Sequence, residues 1–209
     1  MPRIYPFVLT LVYRSGSMFE VFQKYLLNQA TLTDEELEMI RVRSVPKKLR
    51  RHQYLLQEGD INRHNSFIVR GCLRLYRLGE DGTEHILRFG IENWWMSDRE
   101  SYTTGQPSKG FIDALEDSEL LTWTKESWEE LMAAIPELAA LIERILERSF
   151  NASQNRIHAV ISLSAEERYQ QFLKSFPDIF NRVPLHMIAS YLGVNRKTLS
   201  RIRHQFNHK

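Results

Sequence analysis

The sequence predicts an α+β chain: an antiparallel β-barrel or jelly roll, then one long helix, then a small helical domain that ends in a helix–turn–helix. Three observations predict it. From about Val42 to Thr124 the chain runs in short segments of alternating apolar and polar residues, separated by turn signals. At Lys125 the apolar period becomes helical and runs, with little interruption, to about Ile161. Near the end, a short apolar helix, Gly193 and a second amphipathic helix follow one another.

Residues 18–30 read as a helix with Phe19, Phe22, Tyr25 and Leu26 on one stripe. Thr33 starts the next, with Glu36 three residues on as the second half of a capping box. In the alternating region, Ser66 to Arg70 and Leu73 to Arg77 place apolar and polar side chains on opposite faces, with Gly71 between them. Glu80-Asp81-Gly82 reads as a hairpin turn, and His85 to Phe89 as the returning strand. Phe111 to Leu115 and Glu119 to Thr124 are a further pair, joined by Glu116-Asp117-Ser118. Ser127 to Ile135 reads as one short helix, and Pro136 opens the long one. On it Leu138, Leu141, Ile142, Ile145, Leu146, Ala152, Ala159 and Val160 approximate a stripe. A stripe on so long a helix fits a dimer seam; packing on its own barrel fits it too. Ser164 and Glu167 form a second capping box, and Phe176-Pro177-Asp178 breaks the helix that follows.

The chain has 209 residues, 43% hydrophobic and 26% charged, an ordinary globular composition. Its single cysteine, Cys72, excludes an internal disulfide framework, a cysteine zinc site and an iron–sulfur cluster. The cytoplasm is the expected compartment and no membrane partner is expected. The net charge of +2 hides an asymmetry: from Arg182 onward lie six of the 28 basic residues and none of the 26 acidic ones. A basic end on an acidic body points to a polyanion, although a solvated basic tail would have the same charge. Ile4 to Tyr13 loosely imitates a signal peptide, but the run holds Pro6, is closed by Arg14 and is too short to span a bilayer. Residues 1–17 are therefore read as an extension, disordered or not native, with Met18 as the alternative start.

Pro184 opens a helix with Leu185, Ile188, Ala189 and Leu192 on its buried side. Gly193 makes the turn, Val194 plugs it, and Asn195 caps a helix that runs through Phe206. Leu199, Ile202 and Phe206 face inward. Lys197, Ser200, Arg201 and His204 face outward, with Arg196 at the edge. A row of long donors is what a helix in the major groove needs, because arginine and lysine reach the guanine acceptors. Thr198 and Ser200 suit phosphate contacts near the positive helix end. A surface helix of ordinary kind is the plainer reading of the same amphipathicity.

Two stretches carry a family resemblance. Ile188 to Arg201 (IASYLGVNRKTLSR) is similar to the helix–turn–helix of the cyclic-AMP receptor protein and Fnr (Crp/Fnr) family. Gln57-Glu58-Gly59-Asp60, Ser66 to Gly71, Glu80-Asp81-Gly82 and Ala114 to Leu120 resemble that family's cyclic-nucleotide-binding β-roll. The resemblance spans roughly Met18 to Phe206. It implies a sensor domain over 18–135, a dimerisation helix over 136–162 and a DNA-binding domain of winged-helix type over 163–209. It implies a homodimer on double-stranded DNA, with RNA polymerase as a further partner. Arg196, Lys197 and Arg201 would touch bases, and Thr198 a phosphate. Lys197 stands where many members carry Glu, which shifts the preferred base from cytosine toward guanine.

The sensor departs from the pattern. The cassette that binds a cyclic phosphate would fall on Trp94 to Glu100, and its arginine near Ser108. Lys109 is one place off and Arg99 is in a different slot, so cyclic AMP is not expected to bind in the usual way. Trp94, Trp95, Met96, Arg99 and Lys109 are the candidate ligand contacts; the aromatics fit a core role equally well. No cofactor is expected, beyond an unidentified small-molecule effector. Nor is an enzyme: Asp98, Glu100 and His85 come without a nucleophile, a phosphate loop or metal-ligand spacing. The alternative to a DNA-binding regulator is a regulatory module whose C-terminal helices bind a protein.

Overall fold

The structure is a computed structural model describing residues 18–207. The expectations for residues 1–17 lie outside the described residues. Helix α1 (18–27) and α2 (Asp34–Val42) precede eight strands. These are β1 (Val45–Leu49), β2 (Tyr54–Leu56), β3 (His64–Arg70), β4 (Leu73–Leu78), β5 (Glu84–Gly90), β6 (Trp95–Met96), β7 (Phe111–Ala114) and β8 (Ser118–Thr124). A short helix α3 (Arg99–Thr104) lies between β6 and β7. Then come α4 (Lys125–Ala134), α5 (Pro136–Ser162), α6 (Ala165–Ser175), α7 (Pro177–Phe180), α8 (Leu185–Leu192) and α9 (Arg196–Asn207).

The strands form two antiparallel sheets, ordered β1-β8-β3-β6 and β2-β7-β4-β5. Period-2 alternation gives each sheet two apolar faces, so three cores result. Ile68, Leu73, Ile112 and Leu120 point between the sheets. On the outer face of the first sheet, Phe67, Leu121 and Trp123 pack against Phe22, Ile40, Trp128 and Leu138 of the helices. On the outer face of the second, Tyr76, Ile86 and Phe89 share a cluster with Tyr169, Ile188 and Leu199 of the C-terminal helices. At about 1.5–3 kcal/mol per buried large side chain, each core is a substantial part of the fold.

The segments on either side of Gly71 do not pair with each other: β3 and β4 lie in different sheets. Gly71 makes the crossing at φ +114, and a Cβ there would sit 2.1 Å from Ser118 Oγ. The expected hairpin turn is present, with Gly79 N–H donating to Thr83 O and Gly82 at φ +77. Both capping boxes form: Thr33 N–H donates to Glu36 Oε2 at 2.8 Å and Ser164 N–H to Glu167 Oε2 at 2.8 Å. Helices α3 and α7 are additions to the sequence reading, each only a turn or so long. Among the described residues, the chain after β8 carries helices and no wing strand.

Helix α5 corrects the expected stripe. Leu138, Leu141 and Ile142 are buried against the chain's own roll, and Ala159 is buried at the other end. The outward apolar face is instead Phe150, Ile157 and Ile161, which are 63%, 51% and 78% exposed, beside Val160.

Candidate nucleic-acid interface

Pro184 is the N-cap residue of α8, and Gly193 ends it in the left-handed region at φ +66. Arg168 donates to the carbonyl of Leu192 at 2.7 Å, satisfying one of the orphaned acceptors of that helix end. Val194 N–H returns to Ala189 O at 3.0 Å, which closes the turn. Asn195 Oδ1 then accepts from Thr198 N–H at 2.7 Å and caps α9. Ile188, Ala189, Leu192, Leu199 and Ile202 are buried between the helices, and Val194 and Phe206 are partly buried against them.

That packing turns the other side of α9 outward. Arg196, Lys197, Ser200, Arg201 and His204 together line one open depression. The four charged or imidazole side chains are exposed and Ser200 is half-buried. None of the cations among them has an ion pair within the described residues. Thr198 is half-buried at the helix start. The third arginine of α9, Arg203, is turned away, with its guanidinium 5.2 Å from the Phe180 ring centroid. All six residues named from the sequence for DNA contact therefore lie on one helix, five of them on one surface.

This helical domain is docked on the roll. Strand β5 is the outer strand of its sheet, and its free edge is satisfied by side chains from elsewhere. Ser190 Oγ accepts from Ile86 N–H at 3.0 Å and donates to Glu84 O at 2.8 Å. Arg156 of α5 donates to Leu87 O at 2.9 Å. Beside this edge, Arg182 forks onto Glu92 at 2.7 and 2.9 Å and also reaches Glu116. Burial works against the Glu92 carboxylate, but hydrogen bonds from Arg182 and from Gly71 N–H outweigh it and hold its pKa below the ordinary value. The carboxylates of Glu92 and Glu116 raise Arg182 in turn. Arg74 of β4 and Asp113 of β7 make a buried ion pair, with Arg74 Nε 2.7 Å from Asp113 Oδ1, and the more exposed Glu84 of β5 also pairs with Arg74.

The five candidate ligand contacts separate. Trp94 and Trp95 line one cleft between α1, β5, α5 and the C-terminal helices. Trp95 also packs on Phe22, Phe67, Trp123 and Trp128, so it serves the core as well. Met96 is fully buried between the sheets. Arg99 and Lys109 are exposed, and Lys109 pairs with Glu100 at 2.6 Å. Asp98, Ser101 and Ser108 of the β6–β7 segment are tied into its own hydrogen bonds. Buried Asp98 caps α3 and accepts from Ser108 Oγ at 2.6 Å, while Gly59 N–H donates to Ser108 O at 2.9 Å.

Sequence reasoning missed Arg88, Arg182 and Ser190. Arg88 offered no local signal, because the cleft it lines is built by helices distant in sequence. Ser190 and Arg182 likewise had none, because their partners are 66 to 106 residues away. Among the described residues no group of three or more His, Cys, Asp or Glu could hold a metal ion, and no helix is long and apolar enough to cross a membrane.

Residues 46–134 match the cyclic nucleotide-binding domain family. The chain is 27% identical over 188 residues to the fumarate and nitrate reduction regulatory protein of Vibrio cholerae, covering 84% of this chain and 74% of that one. It is 25% identical over 190 residues to the regulatory protein HlyX of Actinobacillus pleuropneumoniae, covering 84% and 78%. Among solved structures, it is similar to FixK2 of Bradyrhizobium japonicum at a TM-score of 0.70 and 17% identity, covering 79% of this chain and 85% of that one.

Proposed function

We propose that this chain, which belongs to the Crp/Fnr family of transcription regulators, works as a homodimer that binds a specific DNA sequence. One observation carries the reading: the exposed face of α9 presents Arg196, Lys197, Ser200, Arg201 and His204 with no acid among them. Such a face meets the demands of base-edge and phosphate contact in a major groove. Thr198 takes a phosphate at the helix start. RNA polymerase is the partner at the bound site.

The second copy would lie on α5. Phe150, Ile157 and Ile161 recur at intervals of seven and four residues, the spacing of a helix–helix seam. This face is turned away from the roll, so a two-fold partner can cover it without displacing the chain's own core.

Cyclic nucleotides do not fit the β6–β7 segment. Where a cyclic phosphate would need a cation, Asp98 and Ser108 are buried and bonded to each other, and a carboxylate there repels the anion. An iron–sulfur cluster does not fit either. Cys72 is the only cysteine, it is fully buried, and burial pushes its thiol up to about 12. The effector, in this reading, is a different small molecule.

The test is selection from a pool of random duplexes by the full chain and by the Arg196→Ala/Arg201→Ala variant. A pseudo-palindrome enriched by the first and not by the second is the expected result. Equal, sequence-independent recovery by both would overturn the reading and favour a protein partner for the C-terminal helices.

A further inference from the structure

A large cleft is separate from the β6–β7 segment. It encloses about 950 Å³, and no residue between Met96 and Ala114 lines it. Its walls come from both halves of the chain: α1, β5 and α5 on one side, Phe176, Ile179 and Tyr191 on the other. Its composition is one-sided. Lys24, Arg88, Arg148 and Arg156 all line it, and no Asp or Glu does.

Arg88 is the informative member. It lines the cleft from β5 and is half-buried, with no hydrogen bond or ion pair among the described residues. Surrounding protein depresses its pKa, with only the nearby Tyr191 opposing. A cation partly shielded by protein and left without a partner costs stability, and such groups cluster at functional sites. Arg156 is already engaged with Leu87 O and lies over the Tyr191 ring at 4.8 Å. Lys24 and Arg148 stand exposed at the rim. Trp94 and Tyr191 supply flat apolar surface beside these charges.

We propose that this cleft binds a flat aromatic small molecule bearing a carboxylate or phosphate, with the anion on Arg88 and Arg148 and the ring among Trp94 and Tyr191. A volume near 950 Å³ suits a ligand of that size. The pairing would satisfy Arg88 in a site where charge-assisted bonds are strong. Because Tyr191 belongs to α8, occupancy also bears on how the α9 domain is held; that consequence alone rests on the regulator reading.

The experiment uses the full chain without DNA, so its failure is distinct from failure of the DNA-binding reading. Flavin mononucleotide is compared with riboflavin by flavin anisotropy, and indole-3-acetate with indole by calorimetry. In at least one pair the anion binds one per chain and at least about tenfold tighter than its neutral partner. Arg88→Met abolishes that preference, and Arg148→Met at the rim reduces it by about threefold. Arg88→Met also raises the ligand-free melting midpoint by about 2 °C, since it removes an unpaired cation. Binding by neither anion, equal binding of neutral and charged partners, a preference that survives Arg88→Met, or a lowered midpoint would overturn the proposal.

Discussion

Removing the Arg182 guanidinium loosens the C-terminal domain from the roll. Arg182 makes two bonds to Glu92 and two to Glu116, and its side chain is 24% exposed while those of the two acids are 34% and 39% exposed. A hydrogen bond to a charged group contributes about 1.5–3 kcal/mol when well shielded. Partial exposure discounts that strongly, leaving about 2 kcal/mol for the whole fork. In Arg182→Ala, Glu92 and Glu116 also face each other without their shared cation. A loss of about 2 kcal/mol shifts the docked–undocked equilibrium by about 30-fold. The reporter is the Ile86 amide, because its acceptor is Ser190 Oγ on α8. Hydrogen exchange at Ile86 is expected to accelerate by about that factor, while amides of the β4–β7 ladder, such as that of Leu73, keep their rates. Unchanged exchange at Ile86, or equal acceleration throughout the roll, would show that Arg182 does not hold the helical domain on the roll.

Four further outcomes follow from the same geometry. Gly71→Ala meets Ser118 atoms at 2.1–2.7 Å with a φ of +114, so thermal unfolding should show a loss of at least about 2 kcal/mol, and a neutral variant would refute the crossing described. Cys72 should resist iodoacetamide at pH 8 in the native protein and react once urea is added, because its thiol is buried and pushed up to about 12; native alkylation at the rate of a free thiol would contradict this. The Arg182 fork depends on an ionised Glu92, whose folded pKa is below its ordinary 4.5. Its contribution is therefore complete above about pH 5 and is lost as pH falls through the lower folded value, read by the fluorescence of Trp94 against Phe176; loss of docking on raising the pH instead would contradict the sign. Ile157→Glu, at an exposed seam position on α5, should yield monomers in sedimentation while leaving the melting of the roll unchanged, and an undisturbed dimer would remove the seam.

Local chemistry was legible in the sequence, and distant pairing was not. Thr33, Ser164 and Asn195 announced helix starts because a cap acts within three residues. Gly82 and Gly193 announced turns because both take positive φ. The outward face of α9 was readable because Leu199 and Ile202 fix its inward side by periodicity alone. The long helix was readable as an element, but its faces were not. Leu138 and Leu141 are as apolar as Phe150 and Ile157, and only the roll decides which pair is covered. The five candidate ligand contacts lie apart for a similar reason. Adjacent residues in an extended strand point oppositely, so Trp95 and Met96 face different cores. Arg88 and its cleft depend on α1, α5 and α8 meeting around β5, which no local pattern encodes.

Equilibrium binding of the full chain to its selected duplex and to a scrambled one, across a salt series, tests whether the face of α9 reads DNA. Two chains per duplex, affinity that falls steeply with salt, and a sequence preference that Arg196→Ala/Arg201→Ala removes are the expected results. Binding that is indifferent to salt, or a preference that survives the double substitution, would show that the face of α9 does not read DNA.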